Sequence, residues 1–238
     1  MKKILAMLFV ISIVMFPAAS RAQGIEGGQS MWSIYGGLGT ALERSGLEID
    51  GQNFSWGNLG GEVGFSYLYF PSEYFGLGVD MRYAGFRGSG SSEPVPWSWY
   101  WDSFEKDLEM HTLQFMAAGR LNVNPGSQVR LYVPFGAGIV LSEGMMEYTL
   151  SREYYSHYDH TYYEETLSSC DSAHDYSFGW YAGVGLEFAT GGRAVWGLEA
   201  RYNSFRYDYG RLADDVGGQV VGKDTEHNYI SLLLKISF

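Results

Sequence analysis

The chain has 238 residues, of which 27 are acidic and 16 basic, so its formal net charge at pH 7 is −11. A chain this acidic is a poor nucleic-acid binder, and we predict no nucleic-acid partner. Its one cysteine, Cys170, excludes an intramolecular disulfide. The length suits a single domain.

The first 22 residues have the pattern of a secretory signal peptide. Two lysines precede an apolar run from Ile4 to Phe16, and Ser20 and Ala22 supply the small residues that signal peptidase reads. We therefore predict a signal peptide over residues 1–22 and one domain over residues 23–238. Removal of the leader leaves 13 basic residues against 27 acidic ones, a net charge of −14. No later run of about 18 apolar residues exists, which excludes helical membrane spans.

Eight segments of the remaining chain alternate apolar with polar or small residues, which is the period of a β-strand. The clearest is the sixth, where Phe178, Trp180 and Val184 alternate with Gly179 and Tyr181. The predicted strands cover residues 32–42, 58–70, 74–86, 108–123, 130–139, 178–188, 196–203 and 228–238.

The connections between these strands alternate between short and long. Short turns lie near Pro71, Pro125 and Gly191. The long connections cover residues 43–57, 87–107, 143–176 and 208–226. An even number of strands of about ten residues, joined in this way, is typical of an up-and-down membrane barrel.

The last strand ends on Phe238 and resembles the closing strand of bacterial outer-membrane β-barrels, whose terminal aromatic residue is part of the signal read by the assembly machinery. The whole pattern is similar to the small eight-stranded outer-membrane barrels, the group of outer membrane proteins A, X and W and the opacity-type adhesins. The resemblance implies an all-β fold: an antiparallel up-and-down transmembrane β-barrel of eight strands, with short periplasmic turns and long extracellular loops.

The same resemblance implies a location in the bacterial outer membrane. The partners that it implies are outer-membrane lipid and lipopolysaccharide, the barrel-assembly machinery and, through the loops, an extracellular ligand. We expect a monomer without a cofactor, and no peptidoglycan-binding domain because the chain stops at the last strand.

Nine charged residues fall on the strand faces that should point into the barrel. An eight-stranded interior is just wide enough for side chains, so we expect these charges to pair and to fill the lumen. Inward glycines should make room for Tyr35, Tyr132 and Tyr181. The alternative is a small channel for ions or solutes. The predicted lumen network consists of Glu62, Asp80, Arg82, Arg120, Arg130, Glu187, Glu199, Arg201 and Lys235.

Aromatic residues on the outward faces lie mostly near strand ends and are typical of interfacial girdles. They are Trp32, Tyr67, Tyr69, Phe75, Trp180, Phe188, Trp196 and Tyr202.

The third long connection is rich in tyrosine, with Tyr154, Tyr155 and Tyr158 followed by Tyr162 and Tyr163. We predict that it forms a hairpin that projects above the membrane and turns near residues 156–160. Exposed tyrosines suit recognition, so the first three are predicted ligand-binding residues.

The second long connection carries Trp97, Trp99 and Trp101 at alternate positions. On one extended segment, these residues would place three indoles on a single face. Such a face suits a sugar, a lipid headgroup or a protein, and the alternative is a place in the outer-leaflet girdle.

His157, Asp159 and His160, with His174 and Asp175, offer metal-ligating side chains. Their spacing is not that of a known site, and we predict no metal. Calcium or magnesium bridged between such carboxylates and lipopolysaccharide phosphates is the alternative.

The sequence therefore predicts a structural or adhesin-like role through the extracellular loops, and no enzymatic activity. A small channel is the alternative, and a lipid A-modifying enzyme is the weaker one. For a deacylase, Ser204 and His227 are the available nucleophile and base. The third connection has the residue types of a palmitoyltransferase without its motif, and an omptin-like protease would need ten strands.

Overall fold

The computed structural model describes a large part of the chain. The predicted leader, residues 1–22, and the predicted turn at Gly191 lie outside the described residues. Those residues are 25–42, 48–49, 52–53, 55–56, 59–91, 95–97, 100–156, 158, 161–189, 194–208, 220–221 and 224–238. No helix in this part of the chain is long and apolar enough to cross a membrane.

Eight long strands dominate the described residues. They are β1 (Gln29–Ala41), β2 (Gly60–Ser72), β3 (Phe75–Ser91), β4 (Tyr100–Asn122), β5 (Val129–Ser156), β6 (Thr161–Ala189), β7 (Val195–Asp208) and β8 (Asp224–Ser237). Each pairs antiparallel with the next along the chain, and β8 pairs with β1. This confirms the predicted eight-stranded antiparallel up-and-down barrel.

Five shorter strand segments accompany the barrel strands. Ser55–Trp56 pairs with β3 and Val95–Trp97 pairs with β4. The remaining three, Val220–Val221, Glu48–Ile49 and Gln52–Asn53, form a small separate sheet in that order.

The seam between β1 and β8 closes the barrel. The backbone of Phe238 exchanges two hydrogen bonds with that of Trp32, at 2.8 and 3.1 Å, so the final residue extends the ladder beyond β8. Inside the wall, the Ser33 and Ser237 hydroxyls lie 2.9 Å apart across the same seam. Closure leaves no open sheet edge within the membrane, as hydrocarbon requires.

Alternate residues of each strand point to the lumen and to the outer surface of the wall. Along β7, Glu199 and Arg201 are buried in the lumen, whereas Leu198 is exposed on the outer surface. The same alternation holds through the membrane-spanning part of all eight strands, although apolar residues such as Leu68, Met116 and Leu233 also lie on the inner face.

The strands are longer than predicted, and the loop assignment 87–107 is wrong for most of its length, whereas the projecting hairpin predicted within residues 143–176 is present. β5 and β6 run through the second range and pair continuously from Phe188↔Val129 to Thr161↔Ser156, apart from Gly183 and Val184. The alternation changes phase above the membrane, so that the inner face becomes apolar and the outer face polar. On β4, the inward Gln114 and Thr112 give way to Met110 and Leu108.

One predicted turn is also shifted. Pro71 and Ser72 belong to β2, and the turn to β3 consists of Glu73 and Tyr74. The predicted turn around Pro125 is present. There the Asn124 side chain accepts a hydrogen bond from the Leu131 backbone N–H at 2.6 Å.

Deletion of residues 228–238 should abolish the heat-modifiable, folded band on a gel after refolding in detergent. The deletion removes all but four residues of β8 and leaves β1 and β7 with open edges. As a control, deletion of residues 151–166 shortens only the part of β5 and β6 farthest from the membrane, and this variant should keep the folded band. A folded band without β8 would contradict closure through this seam.

Candidate functional site

All nine predicted lumen charges are buried inside the barrel, and each takes part in at least one ion pair. Four acids face five bases, so the network carries one net positive charge. It divides into a larger group towards the outer side and a smaller group towards the periplasm.

Arg201 is the centre of the larger group. Its Nη1 lies 3.0 Å from Asp80 Oδ2 and 3.8 Å from Glu62 Oε1, and its Nε donates to Glu199. Arg82 Nη1 lies 3.6 Å from Glu62, and Lys235 Nζ lies 3.7 Å from Glu199. Because these residues come from β2, β3, β7 and β8, the pairs link strands across the barrel axis.

The smaller group is a carboxylate held by two guanidinium groups. Arg120 donates two hydrogen bonds to Glu187, at 2.5 and 2.6 Å, in the bidentate geometry that suits arginine. Arg130 Nε lies 3.7 Å from the same carboxylate. Tyr132 joins the two groups, since its hydroxyl donates to Glu199 at 2.7 Å and its ring lies 3.8 Å from the Arg120 guanidinium carbon.

Tyrosines and glycines complete this packing in the way that the sequence predicted. A side chain at Gly64 would collide with Tyr35, and one at Gly185 would collide with Tyr132. Tyr181 lies over Gly136 in the same manner. The Tyr35 and Tyr181 hydroxyls both donate to Asp80, the second at 3.0 Å.

Uncharged polar residues form a further set of partners, which the sequence prediction did not include in the network. Arg82 donates to Gln114 at 2.8 Å and to Asn203 at 2.5 Å, while Asn122 accepts from Arg120 at 2.6 Å. The sequence shows that these residues face inward, but it does not show which residues they contact across the barrel.

Apolar layers lie above and below the charges, and the sequence prediction missed both. On the periplasmic side, Ile25 packs with Phe70 and three neighbours inside the barrel. On the outer side, Phe86, Met110 and Phe205 belong to a larger cluster. That cluster consists of Ala84, Phe86, Leu108, Met110, Met116, Val140, Met146, Ala173, Tyr181, Phe205, Tyr207 and Tyr229. Within the described residues, the lumen is thus filled in three layers.

The projecting β5–β6 hairpin is the second candidate site. It turns beyond Ser156↔Thr161, within the predicted range. Tyr154 pairs with Tyr163, and their rings stack with centroids 5.5 Å apart. Tyr158, at the tip, is 100% exposed. Tyr155 pairs with Tyr162 in the same register.

The prediction of three tryptophans on one face required a single extended segment, and the backbone does not form one here. Trp97 pairs with Tyr100 and Pro96 pairs with Trp101, so Trp97 and Trp101 lie on two paired antiparallel strands. Trp99 lies outside the described residues. A ligand-binding role for these tryptophans stays a prediction.

The strand register separates the residues considered for deacylase chemistry. Ser204 pairs with Asn228, whereas His227 pairs with Phe205. Since adjacent residues of a strand point to opposite faces, Ser204 and His227 lie on opposite sides of the wall. His227 is surrounded by Phe86, Phe205 and Tyr229.

The residues considered for metal binding lie partly outside the described part of the chain, namely His157, Asp159 and His160. Among the described residues, no group of three or more His, Cys, Asp or Glu side chains could hold a metal ion. His174 and Asp175 are described, and Asp175 accepts a hydrogen bond from the Asp208 backbone at 3.1 Å.

Glu187→Gln should destabilise the barrel by about 3–5 kcal/mol, because it leaves two buried guanidinium groups without their carboxylate. The midpoint of reversible denaturant unfolding in detergent would report this loss. Glu226→Gln is the control, since Glu226 and Arg206 form an exposed pair at 3.9 Å. That variant should lose no more than about 1 kcal/mol. Equal losses would refute a structural role for the network.

The refolded protein should be silent in a planar bilayer, because charges and two apolar layers fill its lumen. Single-channel recording of the parent and of Glu199→Ala and Arg201→Ala measures this. Steady conductance in the parent that shifts in both variants would show instead that these charges line a pore.

Comparison with known proteins places this barrel in a family. The family model for the outer membrane protein beta-barrel domain matches residues 6–232. A search of curated protein sequences finds no match.

Several solved structures are also similar to the chain. Ail, the attachment invasion locus protein of Yersinia pestis, is 15% identical over 90% of this chain and 100% of its own, with a TM-score of 0.40. OprG from Pseudomonas aeruginosa is 12% identical over 91% of this chain and 98% of its own, with a TM-score of 0.45. The outer membrane protein AlkL is 15% identical over 94% of both chains, with a TM-score of 0.33. On the family match, the chain belongs to the outer membrane protein beta-barrel family, and it is an integral protein of the bacterial outer membrane.

Proposed function

We propose that this protein acts at the cell surface as an adhesin-like receptor, with the projecting β5–β6 hairpin as its contact surface. The observation that carries the proposal is the length of this hairpin beyond the membrane. On the outward face, the lipid-facing side chains of the wall give way to polar ones between Leu141 and Glu143 on β5 and between Tyr176 and His174 on β6. This change marks the level at which the strands leave the membrane. About 14 residues of each strand lie beyond that level, which is roughly 45 Å along the strand.

The projection is supported as a sheet and not only as a hairpin. β4 pairs with β5 as far as Tyr100↔Tyr154, so three strands rise together. Three strands with an apolar face suffice for an ordered sheet. At the base, Met146 and Ala173 pack in the outer apolar layer, and the Tyr207 hydroxyl donates to the Ala173 carbonyl at 3.2 Å.

The far end of the projection has the side chains of a recognition surface. Tyr162 is 77% exposed, and its neighbour Tyr163 faces the opposite side of the sheet and is also exposed. Tyrosine offers a large rigid ring and one hydroxyl at low entropic cost. The filled lumen adds support, because it favours a function on the outside over transport through the barrel.

Tyr154→Ala combined with Tyr163→Ala should lower the binding of expressing cells to an extracellular target by about tenfold, since tyrosine is enriched among binding hot spots. Cultured epithelial cells and immobilised matrix proteins are suitable targets. Tyr74→Ala is the control, because Tyr74 is also exposed but lies in the turn between β2 and β3 at the opposite end of the barrel.

Deletion of residues 151–166 should abolish the same binding while the heat-modifiable band persists. Binding that survives this deletion in a protein that reaches the surface would refute the hairpin as the contact surface.

A further inference from the structure

A hollow of about 560 Å³ lies on the outer side of the barrel wall, across β1 to β4. Its floor is formed at Gly61 and Gly85, which are direct partners in the β2–β3 register. Leu38 pairs with Gly61 and His111 pairs with Gly85. This row thus has a large side chain at each end and two glycines between them.

The glycines leave real space on the wall. A Cβ atom added at Gly61 would have no heavy atom within 4 Å, whereas one at Gly85 would lie 3.3 Å from His111 Nδ1. Position 61 is therefore a place where a side chain could fill the hollow without displacing its neighbours.

One rim of the hollow is apolar. Leu38, Leu59 and Val63 line it, and all three are exposed on the outer surface. Further towards the periplasm, the outward residues of these strands stay apolar, as Phe65 and Val79 illustrate. The lower edge of the hollow thus continues into the hydrocarbon-facing wall.

The opposite rim is polar and preorganised. The Tyr83 hydroxyl lies 2.7 Å from His111 Nδ1, and the two rings stack. Arg87 donates to Asp107 at 3.0 Å, and its Nε lies 3.7 Å from Glu109. His111 Nε2 is enclosed, lies 3.7 Å from Glu109, and makes no hydrogen bond within the described residues.

The charges on this rim limit the chemistry of an occupant. One guanidinium faces the carboxylates of Asp107 and Glu109, so the rim does not attract a simple anion such as a bare phosphate. The rim places the Glu109 carboxylate, an acceptor, beside the Arg87 guanidinium, a donor, next to the rings of Tyr83 and His111. Hydroxyl groups both donate and accept, and therefore match such a mixed rim.

The level of the hollow adds a second restriction. It lies where the outer face changes from apolar to charged, so an occupant needs an apolar part below and a polar part above. We propose that this hollow binds a glycolipid of the outer leaflet, with its sugar headgroup against Tyr83, Arg87, Glu109 and His111. One acyl chain follows Leu38 and Val63 into the hydrocarbon.

In this arrangement, sugar hydroxyls donate to Glu109 and accept from Arg87. The stacked rings of Tyr83 and His111 cover one apolar face of the sugar. The site shares no residue with the projecting β5–β6 hairpin, so a negative result for one proposal does not refute the other.

The test uses the refolded full chain in phosphatidylcholine nanodiscs that contain small equal amounts of monoglucosyl diacylglycerol and phosphatidic acid. Native mass spectrometry measures which lipid stays bound. We expect the parent to retain the glucosyl lipid about tenfold over phosphatidylcholine, and Gly61→Leu to bring this ratio close to one. Gly126→Leu is the matched control, since Gly126 also has open space but lies in the turn between β4 and β5.

Three results would overturn the proposal: no preference in the parent, a preference that survives Gly61→Leu, or stronger retention of phosphatidic acid than of the glucosyl lipid. If Gly61→Leu gives no folded band, Glu109→Gln takes its place, because it replaces one of the two carboxylate oxygens that accept from sugar hydroxyls with an NH2 donor at a half-buried position. We expect it to weaken retention of the glucosyl lipid by about tenfold. Stronger retention of phosphatidic acid, with the glucosyl lipid unaffected, would assign the rim to a phosphate and overturn the sugar site.

Discussion

Closure of the wall is the constraint on which the rest of this structure depends. Hydrocarbon offers no hydrogen-bond partners, so every backbone group within the membrane must find one in a neighbouring strand. With eight strands, the closed wall leaves an interior that side chains can fill. Whatever points inward must therefore pack and satisfy its own charges. The ion pairs around Arg201 and Glu187 are the solution that this chain adopts.

These buried ion pairs contribute more to the selection of one strand register than to the net free energy of unfolding. A buried ion pair recovers in attraction roughly what its charges lose in hydration, whereas a broken pair costs several kcal/mol. The contacts of Arg201 with Glu62, Asp80 and Glu199 join residues from three strands. A strand that slips by one residue would turn these charges towards lipid. The network thus selects one register. Outward residues, including those of the hollow at Gly61, take no part in these ion pairs and can differ without loss of that register.

The sequence was sufficient for the fold within the membrane because lipid outside and charge inside give each strand a clear period of two. It was insufficient above the membrane because the period changes phase there. On β4, His111 and Thr112 are both polar and adjacent, and on β5 so are Ser142 and Glu143. Such pairs interrupt the alternation, and the predicted fifth strand accordingly ends at residue 139, before Ser142. In the structure the strand continues, with water outside and an apolar layer inside.

For the candidate sites, the inward charges could be predicted one by one, since each occupies a defined face of a strand. Which charge meets which could not, because partners can lie far apart in sequence, as Asp80 and Arg201 do at 121 positions. The glycine hollow at Gly61 and Gly85 was hidden for the same reason. Two glycines on separate strands become one surface only after the β2–β3 register is known.

The seam has a consequence for how the chain reaches its folded state. Seven of the eight ladders join strands that follow one another, so each can form as soon as its two strands are present. The eighth joins residues such as Ser33 and Ser237, 204 positions apart, and must wait for the last of them. Until then the molecule is a sheet with two bare edges, a form that invites pairing with other chains. Pairing of β8 with β1 therefore ends the exposure of both edges in a single step.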